Sequence, residues 1–182
     1  MEHRRRLHLL IAAAFATFAL AAHARVFTTQ QQALAGAFPA AKITRQSIFL
    51  TKAQADAAKR SSGIDFRDQL IVRYVATTGD RVSGYAYFDT HRVRTLAETV
   101  MIVVTPDGSV EKVEILSFDE PPDYLPRPRW LDQFRRRKLN DDLSLKGAIR
   151  PMSGASLTGR AIVNASRKIL ALHRAIGPAA AP

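Results

Sequence analysis

The sequence predicts an α+β domain: an antiparallel sheet of two consecutive hairpins packed with helices, the longest helix at the C-terminus. Three observations predict it. QLIVRYVATTGDRVSGYAYFDT carries β-branched and aromatic residues on both sides of Thr78-Gly79-Asp80, the pattern of a hairpin. ETVMIVVTPDGSVEKVEILSF repeats that form around the turn triplet Pro106-Asp107-Gly108. Near the C-terminus, Thr158, Ile162, Ala165, Ile169, Leu172 and Ile176 recur at steps of four and three, which puts them on one side of a helix.

The remaining elements follow in chain order. Residues 28 to 63 read as two helices with a break. Thr29 with Gln32, and Thr51 with Gln54, have capping-box spacing, and Gly63 is a natural residue to follow a helix end. ITRQSIFLT, between them, fits a short strand. The two hairpins imply a sheet of about four strands. DEPPDYLPRPRW holds four prolines, which argues against regular structure there. PRWLDQFRRRK is expected to be a short helix, since Pro128 suits a first turn. In the terminal helix Arg160, Arg167 and Arg174 share another side, expected to face water, and Gly177-Pro178 stops it. The expected organisation is a signal peptide over 1–24, an N-terminal helical segment over 25–65, one domain over 66–177 and a disordered tail over 178–182.

Composition narrows the function classes. Apolar residues are 47% of 182, enough for one core. No cysteine is present, which excludes thiolate catalysis, disulfides and cysteine-based metal centres. Of five histidines, His3, His8 and His23 precede residue 24, so a multi-histidine metal site in the folded part is not expected. Arg4-Arg5-Arg6, the apolar run over residues 7–22 and Ala22-His23-Ala24 have the layout of an export signal, with Arg25 as the mature start. An uncleaved anchor is the alternative. The expected location is therefore periplasmic or otherwise extracytoplasmic. The net charge of +11 suits an anionic partner, and export argues against nucleic acid.

SGASLTG, residues 153–159, leads into the terminal helix. It brings three hydroxyls and two glycines where one capping hydroxyl would suffice. A helix N-terminus offers free N–H groups and a partial positive charge, so it can hold a phosphate. Gly154 and Ala155 allow close approach to the backbone, Ser153, Ser156 and Thr158 add donors, and Arg150 adds a full charge. The plainer reading is a helix capped by Ser153 or Ser156.

SGAS, preceded by Ile149-Arg150-Pro151-Met152, resembles the flavinylation motif of the FMN-binding domain family: Asp, two variable residues, Ser or Thr, Gly, Ala, then Thr or Ser. That family includes covalently flavinylated subunits of sodium-translocating NADH:quinone oxidoreductase and of the Rnf complex, and small exported FMN carriers. The order of hairpin, proline segment, short helix and terminal helix is similar too, over roughly residues 80 to 175. The resemblance implies an electron carrier with little substrate chemistry of its own. A flavin transferase would take FAD and join FMN through its phosphate to Ser156, with Ser153, Gly154 and Ala155 completing the motif. Two departures are present: Ser stands where Thr is usual at 156, and Arg150 stands where the motif has Asp. With Arg150 there, noncovalent FMN binding remains an alternative.

Glu120 resembles an acidic residue that related flavin subunits carry in a Glu-Thr-Pro loop. Tyr124, Trp130 and Phe134 are candidates to stack on the ring or to anchor the core. His91 could donate a proton or be a solvated loop residue, and His173 reads as structural. Arg135-Arg136-Arg137-Lys138 reads as a solvated face or as a dock for an acidic redox partner. The resemblance implies a redox donor and an acceptor that the sequence does not name, a membrane-bound one among the alternatives. Competing readings are a secreted basic binding module without redox function and a noncovalent-FMN flavin reductase.

Overall fold

The computed structural model describes residues 25–65 and 69–179. The expected export signal, and the last residues of the expected tail, lie outside the described residues. Six strands form one antiparallel sheet in the order β1-β6-β5-β4-β3-β2. They are β1 (Arg25–Val26), β2 (Lys42–Phe49), β3 (Leu70–Thr78), β4 (Arg81–Arg92), β5 (Ala97–Val104) and β6 (Val110–Phe118). The α-helices are α1 (Gln30–Ala37), α2 (Lys52–Ser62), α3 (Pro128–Leu131) and α4 (Ser156–Ile176).

The α+β class, the two hairpins β3–β4 and β5–β6, and the long C-terminal helix are as expected. The expected four strands become six. ITRQSIFLT supplies β2, which pairs along its whole length with β3, and Arg25–Val26 pairs with the far edge at β6. Lys42 and Arg45 lie on the outermost strand β2, where charge discourages further strand addition.

The period-2 alternation of the central strands sorts side chains onto two buried faces. Tyr85, Tyr87, Val100, Ile102, Val104, Val113 and Ile115 lie in the core beneath α4. Ala86, Met101, Val103 and Leu116 form a smaller cluster with Ala33 and Leu34 of α1. Thus α1 covers one face of the sheet, while α4, with α2 against it, covers the other. Both predicted capping boxes are made: Thr29 and Thr51 accept from Gln32 and Gln54 backbone N–H groups, and the glutamine side chains bond back.

Three further expectations are corrected. The helix foreseen at PRWLDQFRRRK is one α-turn, α3, followed by a 3-10 turn over Asp132–Phe134. It stops because the backbone turns to the sheet: Arg136 N–H donates to Val110 O (2.7 Å) and Val110 N–H to Arg137 O (2.8 Å). The proline segment contains a 3-10 turn, Pro122–Tyr124, with Pro122 at its start. The arginine side of α4 does not simply face water. Arg167 donates to the carbonyls of Asn140 (2.6 Å), Leu143 (3.3 Å) and Ser62 (3.2 Å), and Arg174 donates to Leu139 O (3.3 Å).

These bonds pin the loop between residues 139 and 150, which delivers the chain to SGAS. Leu143 and Ile149 are fully buried anchors of that loop. Within it Ala148 N–H and Ser144 N–H both donate to Asp142 O at 2.7 Å. The turn is so tight that a Cβ on Gly147 would sit 2.5 Å from Asp142 O. Gly147→Ala is therefore expected to destabilise the protein by about 1–3 kcal/mol. Gly36→Ala, in α1 where a Cβ meets nothing within 4 Å, should stabilise it by about 0.5–1 kcal/mol. Urea denaturation of the two variants against wild type checks both signs.

Candidate functional site

The six residues of the α4 core stripe are buried, save Ile176, which is partly so. The helix is held firmly at its C-terminal end. Arg73, 4% exposed, donates to Gly177 O (2.6 Å) and to Gln46 Oε1, with its guanidinium 5.1 Å above the Tyr85 ring. Gln54 Nε2 donates to Ala175 O, and Ala179 N–H to the Tyr85 hydroxyl. In the middle, Lys168 bonds to Asp89 on the sheet (2.8 Å). A cation at the carbonyl end also suits the helix dipole.

The N-terminal end is different. Its cap position is Ala155, and no side chain caps the helix. Neither Ser153 nor Ser156 takes the capping role considered from the sequence. The N–H groups of the first turn are left without a side-chain partner, unlike those of α1 and α2. Gly154 has φ +78°, and a Cβ there would meet nothing within 4 Å. It gives the turn its left-handed step and leaves the backbone open to a ligand.

A cleft of ≈ 230 Å³ opens at this end of α4, lined by residues 154–158 together with Val93, Arg94, Glu120 and Tyr124. Ser156 is exposed on it, Thr158 is buried beneath it, and Leu157 keeps 40% of its surface exposed. Glu120 is 5% exposed, and its Oε1 accepts from the backbone N–H groups of Arg94 (3.1 Å), Thr95 (2.9 Å) and Leu96 (3.0 Å). The Leu96, Thr95 and Arg94 amides hold its carboxyl below the usual range, so it stays ionised. It braces the opposite wall of the cleft. The Arg94 guanidinium lies 5.5 Å from the Tyr124 ring centre, within cation–π distance.

Of the candidates, Gly154, Ala155, Ser156, Thr158, Glu120 and Tyr124 meet in this cleft. Ser153 sits exposed just before it. Arg150 and Trp130 line a neighbouring groove. Trp130 Nε1–H donates to Arg150 O (2.7 Å), and its ring stacks edgewise on fully buried Phe134 at 5.4 Å. Trp130 and Phe134 are therefore core anchors first. Sequence reasoning missed Val93, Arg94 and Leu157. The turn bearing Arg94 has no Gly or Pro to mark it, and only the pairing of His91 with Glu98 reveals its place.

His91 is not a loop residue. It lies on β4, 19% exposed, its Nδ1 on Asp89 (2.9 Å) and its Nε2 on Glu98 (3.0 Å). Burial works against its charge, but hydrogen bonds to Asp89 and Glu98 outweigh that and raise its pKa to about 9. Burial raises the Glu98 pKa, and bonds from His91 and Lys168 outweigh desolvation and lower that of Asp89. Both His91 nitrogens are engaged, so none is free to serve a ligand. His173 is buried as expected, with Tyr87 Oη 2.9 Å from its Nδ1, and desolvation together with Arg73 depresses it to about 4.

The donors and walls of the cleft fit an FMN group. Open amides, the Ser156 hydroxyl and Arg94 suit a phosphate, while Val93, Tyr124 and Leu157 suit a flat ring. Residues 97–171 match the model of the FMN-binding domain. That span takes in SGAS and most of α4, and the match bears out the resemblance read from the motif. The fold is also similar to that of NqrC from Shewanella oneidensis, with a TM-score of 0.51 at 16% identity, covering 75% of this chain and 80% of that one. No curated protein matches the sequence. Among the described residues no group of three or more acidic, histidine or cysteine side chains could hold a metal. No helix among them is long and apolar enough to cross a membrane.

The two histidines predict a stability optimum. His91, raised, contributes stability that is full below its usual value of 6.5 and is lost as pH rises through about 9. His173, depressed, contributes stability that is full above 6.5 and is lost as pH falls through about 4. Melting temperature should peak near pH 6.5. In His91→Gln the decline on the alkaline side should flatten, while the acid side stays. An unchanged alkaline limb in that variant would refute the ion-paired arrangement.

Proposed function

We propose that this protein is an exported electron carrier with FMN in phosphoester linkage to Ser156, passing electrons between membrane or periplasmic redox partners. The observation that carries the reading is the uncapped start of α4, with an exposed hydroxyl at Ser156 and a left-handed Gly154 beside it, inside the matched FMN-binding span. Bound flavin supplies the redox chemistry.

The chain's residues would do the holding. In loading, the Ser156 hydroxyl gives its proton to solvent and its oxygen takes the FMN phosphoryl group of FAD, releasing AMP. A flavin transferase with a divalent metal ion would carry out this step. The open amides of α4 would stabilise the one negative charge of a phosphodiester there by about 0.3–1 kcal/mol. Arg94 adds a cation on the far wall. Tyr124, Val93 and Leu157 would shield a bound ring from water, and Glu120 fixes the turn that carries Val93 and Arg94. Covalent attachment keeps the cofactor from being lost by dilution outside the cell, where the N-terminal sequence pattern would send the protein.

Arg150 stands where the family's motif has Asp. Its contacts to Trp130 and Gln133 run through its backbone O and N–H, so a substitution leaves them in place. Co-expression with a flavin transferase should add one FMN to the intact mass of wild type and nothing to Ser156→Ala. An unmodified wild type would end the covalent reading. Arg150→Asp should raise the modified fraction. No gain would mean that the arginine is neutral or useful to loading.

A further inference from the structure

A second concave surface adjoins the motif, and it is strongly basic. A groove of ≈ 640 Å³ is lined by Arg127, Arg129, Arg137 and Arg150, with Trp130 and Gln133 among its other lining residues. Its lining includes no carboxylate. All four arginines are exposed, and none makes an ion pair among the described residues. Two acidic groups of the neighbouring surface pair elsewhere: Glu111 with Arg135 and Asp107 with Lys138. The run at residues 135–138 is thus divided. Its first and last cations are neutralised, and Arg137 turns into the groove beside three arginines distant from it in sequence.

The floor is built rather than incidental. Trp130 Nε1–H holds Arg150 O, Gln133 Oε1 accepts from Arg150 N–H, and Arg137 Nε donates to Gln133 O. The same Trp130 touches the start of α4, since a Cβ on Gly159 would lie 3.4 Å from its ring. One wall of the basic groove is therefore in contact with the helix that bears Ser156.

We infer that this groove docks an acidic protein surface, the redox partner, against the edge of the motif. Four unpaired guanidiniums in one concavity give carboxylate-rich partners complementary charge and bidentate donors. Contact through Trp130 would bring the partner next to α4. The role in electron transfer rests on the function proposed for Ser156; the binding itself does not.

Trp130 is the single tryptophan of the chain, so its emission reports on the groove directly. The experiment uses full-length Ser156→Ala protein, which carries no linked flavin to quench it. The probe is a polyglutamate peptide of about ten residues, with polylysine of equal length as control and phosphatidylglycerol vesicles as the competing surface. Polyglutamate should change the emission saturably, and raising salt from about 50 to about 200 mM should weaken it. In Arg127→Ser/Arg129→Ser, whose native side chains make no hydrogen bond among the described residues, affinity should fall about tenfold. Arg127→Lys/Arg129→Lys should retain most of it, and circular dichroism should show both variants folded. No saturable change, equal affinity in the serine variant, or tighter binding to the vesicles than to the peptide would overturn the inference. A mass experiment that finds no FMN on Ser156 leaves this outcome unaffected, so the two claims fail separately.

Discussion

The structure depends on how α4 is held: tightly along its buried side and at its carbonyl end, openly at its amide end. Ile162, Ile169, Leu170 and Leu172 are each at most 3% exposed, and burying such a side chain contributes about 1.5–3 kcal/mol. Arg73 and Gln54 take up carbonyls at the far end. With the helix fixed in this way, the position of Ser156 is fixed as well. The four N–H groups that every helix leaves over must be satisfied from outside. At α1 and α2 the protein satisfies two of them itself with a capping box. At α4 it leaves them for water or for a ligand, behind a glycine that admits close approach.

Charge is placed to keep that end rigid without filling it. Glu120 gathers three amides of the 94–96 turn, so the wall facing Ser156 is held by hydrogen bonds to an ionised carboxylate, which are the stronger kind. Asp89, His91, Glu98 and Lys168 form a chain of ion pairs across β4, β5 and α4 on the face that α4 covers. It ties the middle of the helix to the sheet. Glu98 Oε1 lacks a partner there, and that unmet acceptor agrees with the raised pKa of the group.

Much of this was legible in the sequence because it is local. Turn triplets and strand alternation marked both hairpins, and the stepping of Ile162, Ala165, Ile169 and Leu172 marked α4. The capping boxes were readable from two residues each. What was not legible depends on pairing between distant segments. The end of the short helix was missed because Arg136 and Arg137 bond to Val110, a strand far off in sequence. Arg94 and Val93 were missed because only the β4–β5 register brings their turn opposite α4. His91 looked like a loop residue because it falls between the two hairpins, and only the β4–β5 register places Glu98 opposite it. The motif was readable, with more hydroxyls than a cap needs; of its two readings, the cap by Ser153 or Ser156 is the one that the structure does not use.

The most direct test of the central claim is the phosphorus-31 resonance of the purified, flavin-loaded protein followed across pH. A phosphodiester to Ser156 has no second ionisation, so its resonance should stay in place from about pH 5 to 8. A phosphate monoester ionises a second time near about pH 6. A resonance that titrates there, or a protein with no phosphorus signal, would contradict the account.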